Sequence, residues 1–527
     1  MDSGKLTLVL RTVKHLKIKQ LYYQVYYLIR NKFFKKEYHK LLSKDISPLR
    51  WEDTISYQNS YSKTNRFSFL NITHQFEDKI DWNYPKYGKL WAYNLNYFDF
   101  LHQEHISVDE GLALIENYVL NDAVLRDGKE PYPISLRGIN WIKFLSRNTI
   151  TDSNINQALY NHYETLLHNL EYHLLGNHLL ENGYSLLFGA YYFKDDRIYK
   201  RAKHILQREL KEQIVYDGGH FELSPMYHQI LLHRLLDCIN LVESNSWKND
   251  DLHLFMKEKA QKMLSWLQQI TYQNGNIPMV NDSAYNIALS SQELFEYASF
   301  LKIEYPKSIL SDSGYRMFSN KAFELFTDVG QVGPSYQPGH AHSDTFNFEL
   351  YVKQQPIIVD VGTSTYEKNE LRLQERQTAS HNTVKIGNIE QTEVWDGFRV
   401  ARRAKVISLE ESDNHLEATH NGYKTQGVLH TRSFSVEDAR ITIHDVISKV
   451  IEKEQVAFFH FHPDVKDIQI SNTSVYLPNQ NVGINFEKGI LKIEEENYNY
   501  AIGFNKRERA KKLAVYFKKA LITTINV

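Results

Sequence analysis

The chain has 527 residues, 42% of them apolar and 24% charged, so it is globular rather than disordered and long enough for two to four domains. Its 62 basic and 63 acidic residues leave a net charge of −1, which argues against bulk electrostatic attraction to nucleic acid but allows a local basic cleft for an acidic sugar. A single cysteine, Cys238, excludes an intramolecular disulfide framework, so any metal must be held by His, Asp or Glu.

At the N-terminus, residues 5–36 are predicted to form a basic amphipathic helix. It either packs on the main domain or touches an anionic membrane surface peripherally. Arg11, Lys14, Lys17 and Lys19 interrupt the apolar run, so no signal peptide is expected. No stretch of about 18 apolar residues offers a transmembrane span. A cytoplasmic or cell-envelope-associated location is the expectation.

Helical periodicity then dominates to about residue 310. Tyr163, Leu166, Leu167, Leu170 and Leu174 recur at helical spacing, as do Ile198, Ala202, Ile205, Leu206 and Leu210. Such stripes need partner helices, and the short turns between them predict stacked helical hairpins. The texture changes near Ser313. Phe346, Phe348, Leu350 and Val352 alternate with polar residues, and ITIHDVIS, VAFFHFHP and GILKIEEEN are short β-rich runs. This succession predicts an antiparallel β-sandwich packed tightly on the helical half. The expected division is a helical extension over 1–80, a helical domain over 81–312 and a sandwich over 313–527.

Three strings could carry chemistry. PGHAHSDTFNFEL holds His340 and His342, and Asp360 and His381 follow at the edges of later strand-like runs. Two imidazoles and a carboxylate suit a divalent metal, most naturally zinc, although polar pairing at a sandwich edge would use the same residues. In YDGGHFELSPMYHQI, Ser224 and Pro225 predict a cap and first turn that place Tyr227 near a helix start. The helix dipole there would favour phenolate; a core tyrosine is the alternative. Asn177, His178 and Glu181 lie within one helical turn, either facing a cleft or packing between helices. Asn94 and Tyr97 in LWAYNLNYFDFLH, and Arg137, Asn140 and Trp141 in PYPISLRGINWIKFL, could bind a charged sugar through Arg and aromatic faces.

In this order the strings resemble the heparinase II/III-like polysaccharide lyases, from about residue 85 to 405. PGHAHSDTFNFEL, VDVGTSTY, ASHNTVKIG and FRVARRAKV are the most specific. The resemblance implies an (α/α) toroid followed by an antiparallel β-sandwich. It also implies one divalent metal on His342, Asp360 and His381, with Tyr227 and His340 as proton-transfer residues. Asn177 with His178 would neutralise a substrate carboxylate, and Tyr366 and Glu181 would lie near the cleft. The implied activity is β-elimination on an acidic, uronate-containing polysaccharide, and the lack of an export signal fits work beside polysaccharide assembly inside a bacterium. The rivals are a glycoside hydrolase using two of Asp217, Glu222 and Asp282, and a non-catalytic carbohydrate-binding protein.

Overall fold

The computed structural model of the chain describes residues 3–34, 38–44, 46–336 and 338–527. Two helices, α1 (Ser3–Val13) and α2 (Ile18–Phe33), stand where one was predicted; residues 35 and 36 lie outside the described residues. The last turn of α1 tightens through His15 N–H to the Thr12 carbonyl and Leu16 N–H to the Val13 carbonyl. Lys17 then turns extended, and the Gln20 side chain accepts from its backbone N–H at 3.0 Å, starting α2 afresh. The expected helical extension over 1–80 is also corrected. Tyr61–Ser62, Arg66–Phe69 and Ile72–Gln75 form a three-stranded antiparallel sheet. Arg66–Phe69 alternates exposed and buried, which sends Phe67 and Phe69 against Phe100 and Trp91.

The helical domain runs α3 (Lys89–Tyr97), α4 (Val108–Leu120), α5 (Pro131–Arg147), α6 (Ser153–His168), α7 (Gly176–Phe193), α8 (Asp196–Gln213), α9 (Pro225–Ser244), α10 (Leu252–Ile270) and α11 (Ser291–Phe300). α5 pairs with α6, α7 with α8 and α9 with α10 as hairpins, and most alternate helices also touch. Thus α3, α5, α7, α9 and α11 follow one another on the inner side, while α4 meets α6 and α8 meets α10 outside. This is the toroid of helical hairpins. Composition fits position: α7 is apolar nearly all round and almost wholly buried, whereas α8 keeps one buried stripe of Ile198, Ala202, Ile205, Leu206 and Leu210. Ser107 and Ser290 cap α4 and α11 reciprocally with Glu110 and Glu293, each box worth about 1 kcal/mol.

Beyond residue 313 every strand pairing is antiparallel among the described residues. One four-stranded sheet holds Tyr315–Ser319, Phe323–Asp328, Phe348–Val352 and Gln355–Ile358 in order. A second holds Ile490–Gly503, Lys506–Phe517, Gln455–His460 and Val384–Ile386, and an Ile358–Phe461 bridge links the two. An eight-stranded sheet covers them, with Arg440–Ile447 alternating exposed or partly exposed with buried residues. Phe348, Phe434, Phe459 and Ile525 share the core between the layers.

The halves are bolted together by polar groups. The Asp217 carboxylate accepts from Ser311 N–H at 2.9 Å, Ser313 N–H at 3.0 Å and Ser313 Oγ at 2.7 Å. The adjacent Gly218 has φ +100°, and a Cβ there would meet the Lys262 carbonyl oxygen at 2.0 Å, so the turn requires glycine. Buried Glu349 accepts from Tyr272 Oη and Met279 N–H, both at 2.9 Å. These contacts hold the cleft walls in fixed register.

Candidate active site

Between the two domains lies a cleft of about 1310 Å³. Asn177, His178 and Tyr227 reach it from the helical side; His340, Tyr366 and Phe398 reach it from the other. Each is placed by a local feature. Ser224 caps α9, its Oγ accepting from Tyr227 N–H at 3.2 Å and donating to the Asp282 carbonyl at 2.7 Å, and Pro225 occupies the first turn. The predicted cap thus fixes Tyr227 one turn into the helix. Asn177 sits at the start of α7, where its backbone N–H donates to Glu222 Oε1 at 2.9 Å.

The tyrosine and the first histidine of the GHAH loop converge. Their ring centroids are 3.9 Å apart, and Tyr366 Oη lies 3.2 Å from Tyr227 Oη. His340 Nδ1 lies 3.0 Å from Asp282 Oδ2. Asn177 Nδ2 donates to Glu222 Oε2 at 3.0 Å and lies 3.3 Å from His340 Nε2. Asp282 is fully buried and grips the Arg372 guanidinium, which donates Nη2–H at 2.7 Å; His342 Nε2 stands 2.9 Å from its other oxygen. Arg372 projects from a short helix, α12 (Glu370–Arg376). Burial raises the Asp282 carboxyl, but Arg372 with His340 and His342 outweighs burial and holds it well below the usual range. Asp282 thus faces His340 Nδ1, while His340 Nε2 lies 3.4 Å from Glu222 Oε2 beside the Asn177 amide.

Tyr227 corrects an expectation. Burial, with Asp282 and Glu222 adding to it, pushes its phenol above the usual value, so the helix start does not make it a phenolate. Across the cleft, burial lowers His178, but Glu171, 2.9 Å away, outweighs it and raises the imidazole above its usual value. His178 thereby favours the cationic donor form.

Asn94, Tyr97 and Tyr366 line the cleft, whereas Arg137, Asn140, Trp141 and Glu181 do not. Arg137 is wholly buried, donating to the Asn96 carbonyl at 3.3 Å and the Gly128 carbonyl at 2.9 Å over the Tyr118 ring. Asn140 donates to the Tyr97 carbonyl at 2.8 Å and Asp99 at 2.7 Å, and Trp141 packs on Phe98 and Tyr118. They shape the inner helices rather than meet a ligand. Glu181 is buried behind Arg234 at 3.4 Å, and burial pushes its carboxyl up to about 7. Arg234 does reach the cleft, as does Glu222. Arg372 and Arg234 carried no sequence signal, because nothing in local spacing ties them to partners 90 and 53 residues away.

Behind His340, His342, Asp360 and His381 are all buried. His381 Nδ1 is 2.8 Å from Asp360 Oδ2, and the two imidazole centroids are 5.3 Å apart. Among the described residues no three His, Cys, Asp or Glu side chains converge tightly enough to hold a metal ion. The donor types nevertheless suit one: His342 Nδ1, His381 Nε2 and Asp344 Oδ2 are buried without a hydrogen-bond partner. Burial pushes Asp344 up to about 6, with Asp360 adding to the rise and His381 opposing it.

Comparison with known proteins places both halves of the chain in one family. Residues 133–307 match the heparinase II/III N-terminus, and 304–527 match the heparinase II/III-like C-terminal model. The chain belongs to the heparinase II/III-like family. A heparin-sulfate lyase of Bacteroides stercoris is 25% identical over 284 residues, 47% of this chain and 42% of that protein. One from Pedobacter heparinus is 25% identical over 243 residues, 40% and 36% of the two chains. The matches thus span less than half the length of these curated relatives. A crystal structure of heparinase III superimposes with a TM-score of 0.68 at 15% identity, covering 97% of this chain and 85% of the other. Heparan sulfate lyase HepC from Pedobacter heparinus gives 0.56 at 17%, covering 88% and 81%. At these identities the structures establish the shared fold, a helical domain followed by a sheet-rich one. Within this heparinase II/III-like chain, the two matched regions meet at 304–307, just before the segment that Asp217 anchors.

Proposed function

We propose that the chain is a polysaccharide lyase that cleaves a uronate-containing glycan by β-elimination. The observation that carries this reading is the close, tilted contact of Tyr227 with His340 in the interdomain cleft, with the Asn177 amide beside them. A uronate C5 proton is weakly acidic because it lies α to a carboxylate, and removing it builds charge there. Asn177 and His178 are placed to donate to that carboxylate, and preorganised donors of this kind are usually the largest catalytic term. His340 Nε2 takes the C5 proton. The C5–H electron pair becomes the C4–C5 double bond as the C4–O4 bond breaks, and the neutral Tyr227 phenol protonates O4. The new chain end is a 4,5-unsaturated uronate.

The proposal includes one divalent cation, most naturally zinc, held by His342, Asp360 and His381. Bound there, it would offset the buried carboxylates and stiffen the wall behind His340. The substrate class, an acidic uronate polymer, is extended from the names of the heparin-sulfate lyases. Hydrolysis is poorly served. Of the three carboxylates considered for it, Asp217 is committed to Ser311 and Ser313 and Asp282 is locked on Arg372, which leaves only Glu222 in the cleft.

Incubation with a panel of uronate polysaccharides, followed by the ultraviolet absorbance of the unsaturated end, tests this. One or more should yield absorbing product, and Tyr227→Phe should slow it by about a hundredfold or more. Absence of product across the panel, or an undiminished rate in the variant, counts against elimination at this site.

A further inference from the structure

The N-terminal helices present an unusual surface. Almost half of the exposed large apolar side chains among the described residues fall within residues 3–34. They are ordered along each helix: Leu6 and Leu10 lie one turn apart on α1, and Ile18, Val25 and Leu28 recur along α2. Ile18 is 85% exposed, Leu28 68% and Leu10 63%. An amphipathic helix normally hides such a stripe, yet here the opposite face is the one that packs. Tyr27 Oη donates to the Leu170 carbonyl at 2.6 Å, and Arg30 donates to the His168 carbonyl at 2.6 Å. Arg11 pairs with Glu393 at 2.8 Å, and Trp395 Nε1 donates to Thr12 Oγ1 at 3.1 Å. The pair therefore straps the helical domain to the sandwich, and its inner residues Val9, Thr12, Tyr27 and Arg30 line the cleft.

The charge of the strap identifies what covers its outer face. Residues 3–34 contain Lys and Arg but no Asp or Glu, and Lys5, Lys14 and Lys32 are exposed. A second copy of this face would set cations against cations. We propose that α1 and α2 dock the protein on an anionic phospholipid surface, with the apolar stripes entering the headgroup boundary and the lysines meeting lipid charge. Among the described residues no helix is long and apolar enough to cross a membrane, so the contact is peripheral. Because the inner faces of the same helices line the cleft, docking brings the site close to the lipid surface.

The test is co-sedimentation of the full chain with vesicles of phosphatidylcholine, with and without about one third phosphatidylglycerol. The chain should sediment with the anionic vesicles and remain largely free of the neutral ones, and raised salt should release it. The double variant Val25→Asp, Leu28→Asp should bind at least about tenfold more weakly while its melting temperature is kept, since neither side chain touches the cleft. Equal recovery with both vesicle types, or undiminished binding by the folded variant, overturns the proposal. So does light scattering that finds a dimer which the same substitutions dissociate, because the stripes would then be covered by a second copy.

Discussion

Asp282→Asn probes the carboxylate that faces His340 Nδ1. In the native chain this buried carboxylate meets His340 Nδ1 at 3.0 Å, His342 Nε2 at 2.9 Å and the Arg372 fork. The amide is isosteric but neutral, and it carries donors on one side. Arg372 is left in the interior without its counter-charge, which costs about 3–5 kcal/mol of stability. If the amide nitrogen faces His340, Nδ1 must accept, and the ring proton moves to Nε2. The base is then blocked, and kcat should fall by about a hundred- to ten-thousandfold. Asp282 does not line the cleft, so KM should change little. Initial rates from ultraviolet absorbance give kcat and KM, and urea unfolding gives the stability loss. A folded variant with kcat within about threefold of the native enzyme, or a loss confined to KM, would refute the assignment.

His340→Ala should abolish turnover and leave the melting temperature nearly unchanged, whereas His342→Ala should lower the melting temperature and the content of bound divalent metal measured by elemental analysis. Arg137→Ala should lower stability by about 2–4 kcal/mol in urea unfolding, because it orphans two buried carbonyls, with KM unaltered in the folded protein. For buried Asp237, burial raises the carboxyl, but Lys143, His233 and Arg234 outweigh it and hold it down to about 2. Its contribution, on the order of 2 kcal/mol, is present above the unfolded carboxyl value near 4 and is lost as pH falls through about 2. Unfolding measured from pH 4 to 2 should therefore be shallower for an Asp237→Asn, Lys143→Met double variant, and an identical slope would contradict the pairing.

The sequence was most legible where one segment carries its own instructions. Ser224-Pro225 announces a cap, and the cap places Tyr227; the alternation around Phe348 announces a strand. It was least legible where function depends on distant partners. Arg137 sits among aromatics and reads like a ligand clamp, yet its guanidinium is consumed by two backbone carbonyls that only the folded helices bring near. Asp282 stood out only as an acid, and its role depends on Arg372, 90 residues on. The choice between phenolate and neutral phenol at Tyr227 stays open in the sequence for a similar reason: a helix start is visible there, whereas the burial that outweighs it comes from tertiary packing. The N-terminal apolar stripes were visible as periodicity, but which face packs was decided by Tyr27 and Arg30 reaching carbonyls at Leu170 and His168.

Elimination and hydrolysis differ by one molecule of water. Cleavage of a uronate polysaccharide in heavy-oxygen water, with mass spectrometry of the fragments, asks whether solvent oxygen enters the new chain ends. The account predicts fragments whose masses sum to the parent and carry no solvent oxygen, one end being unsaturated. Fragments that gain a water, with heavy oxygen at the cleaved end, would contradict it.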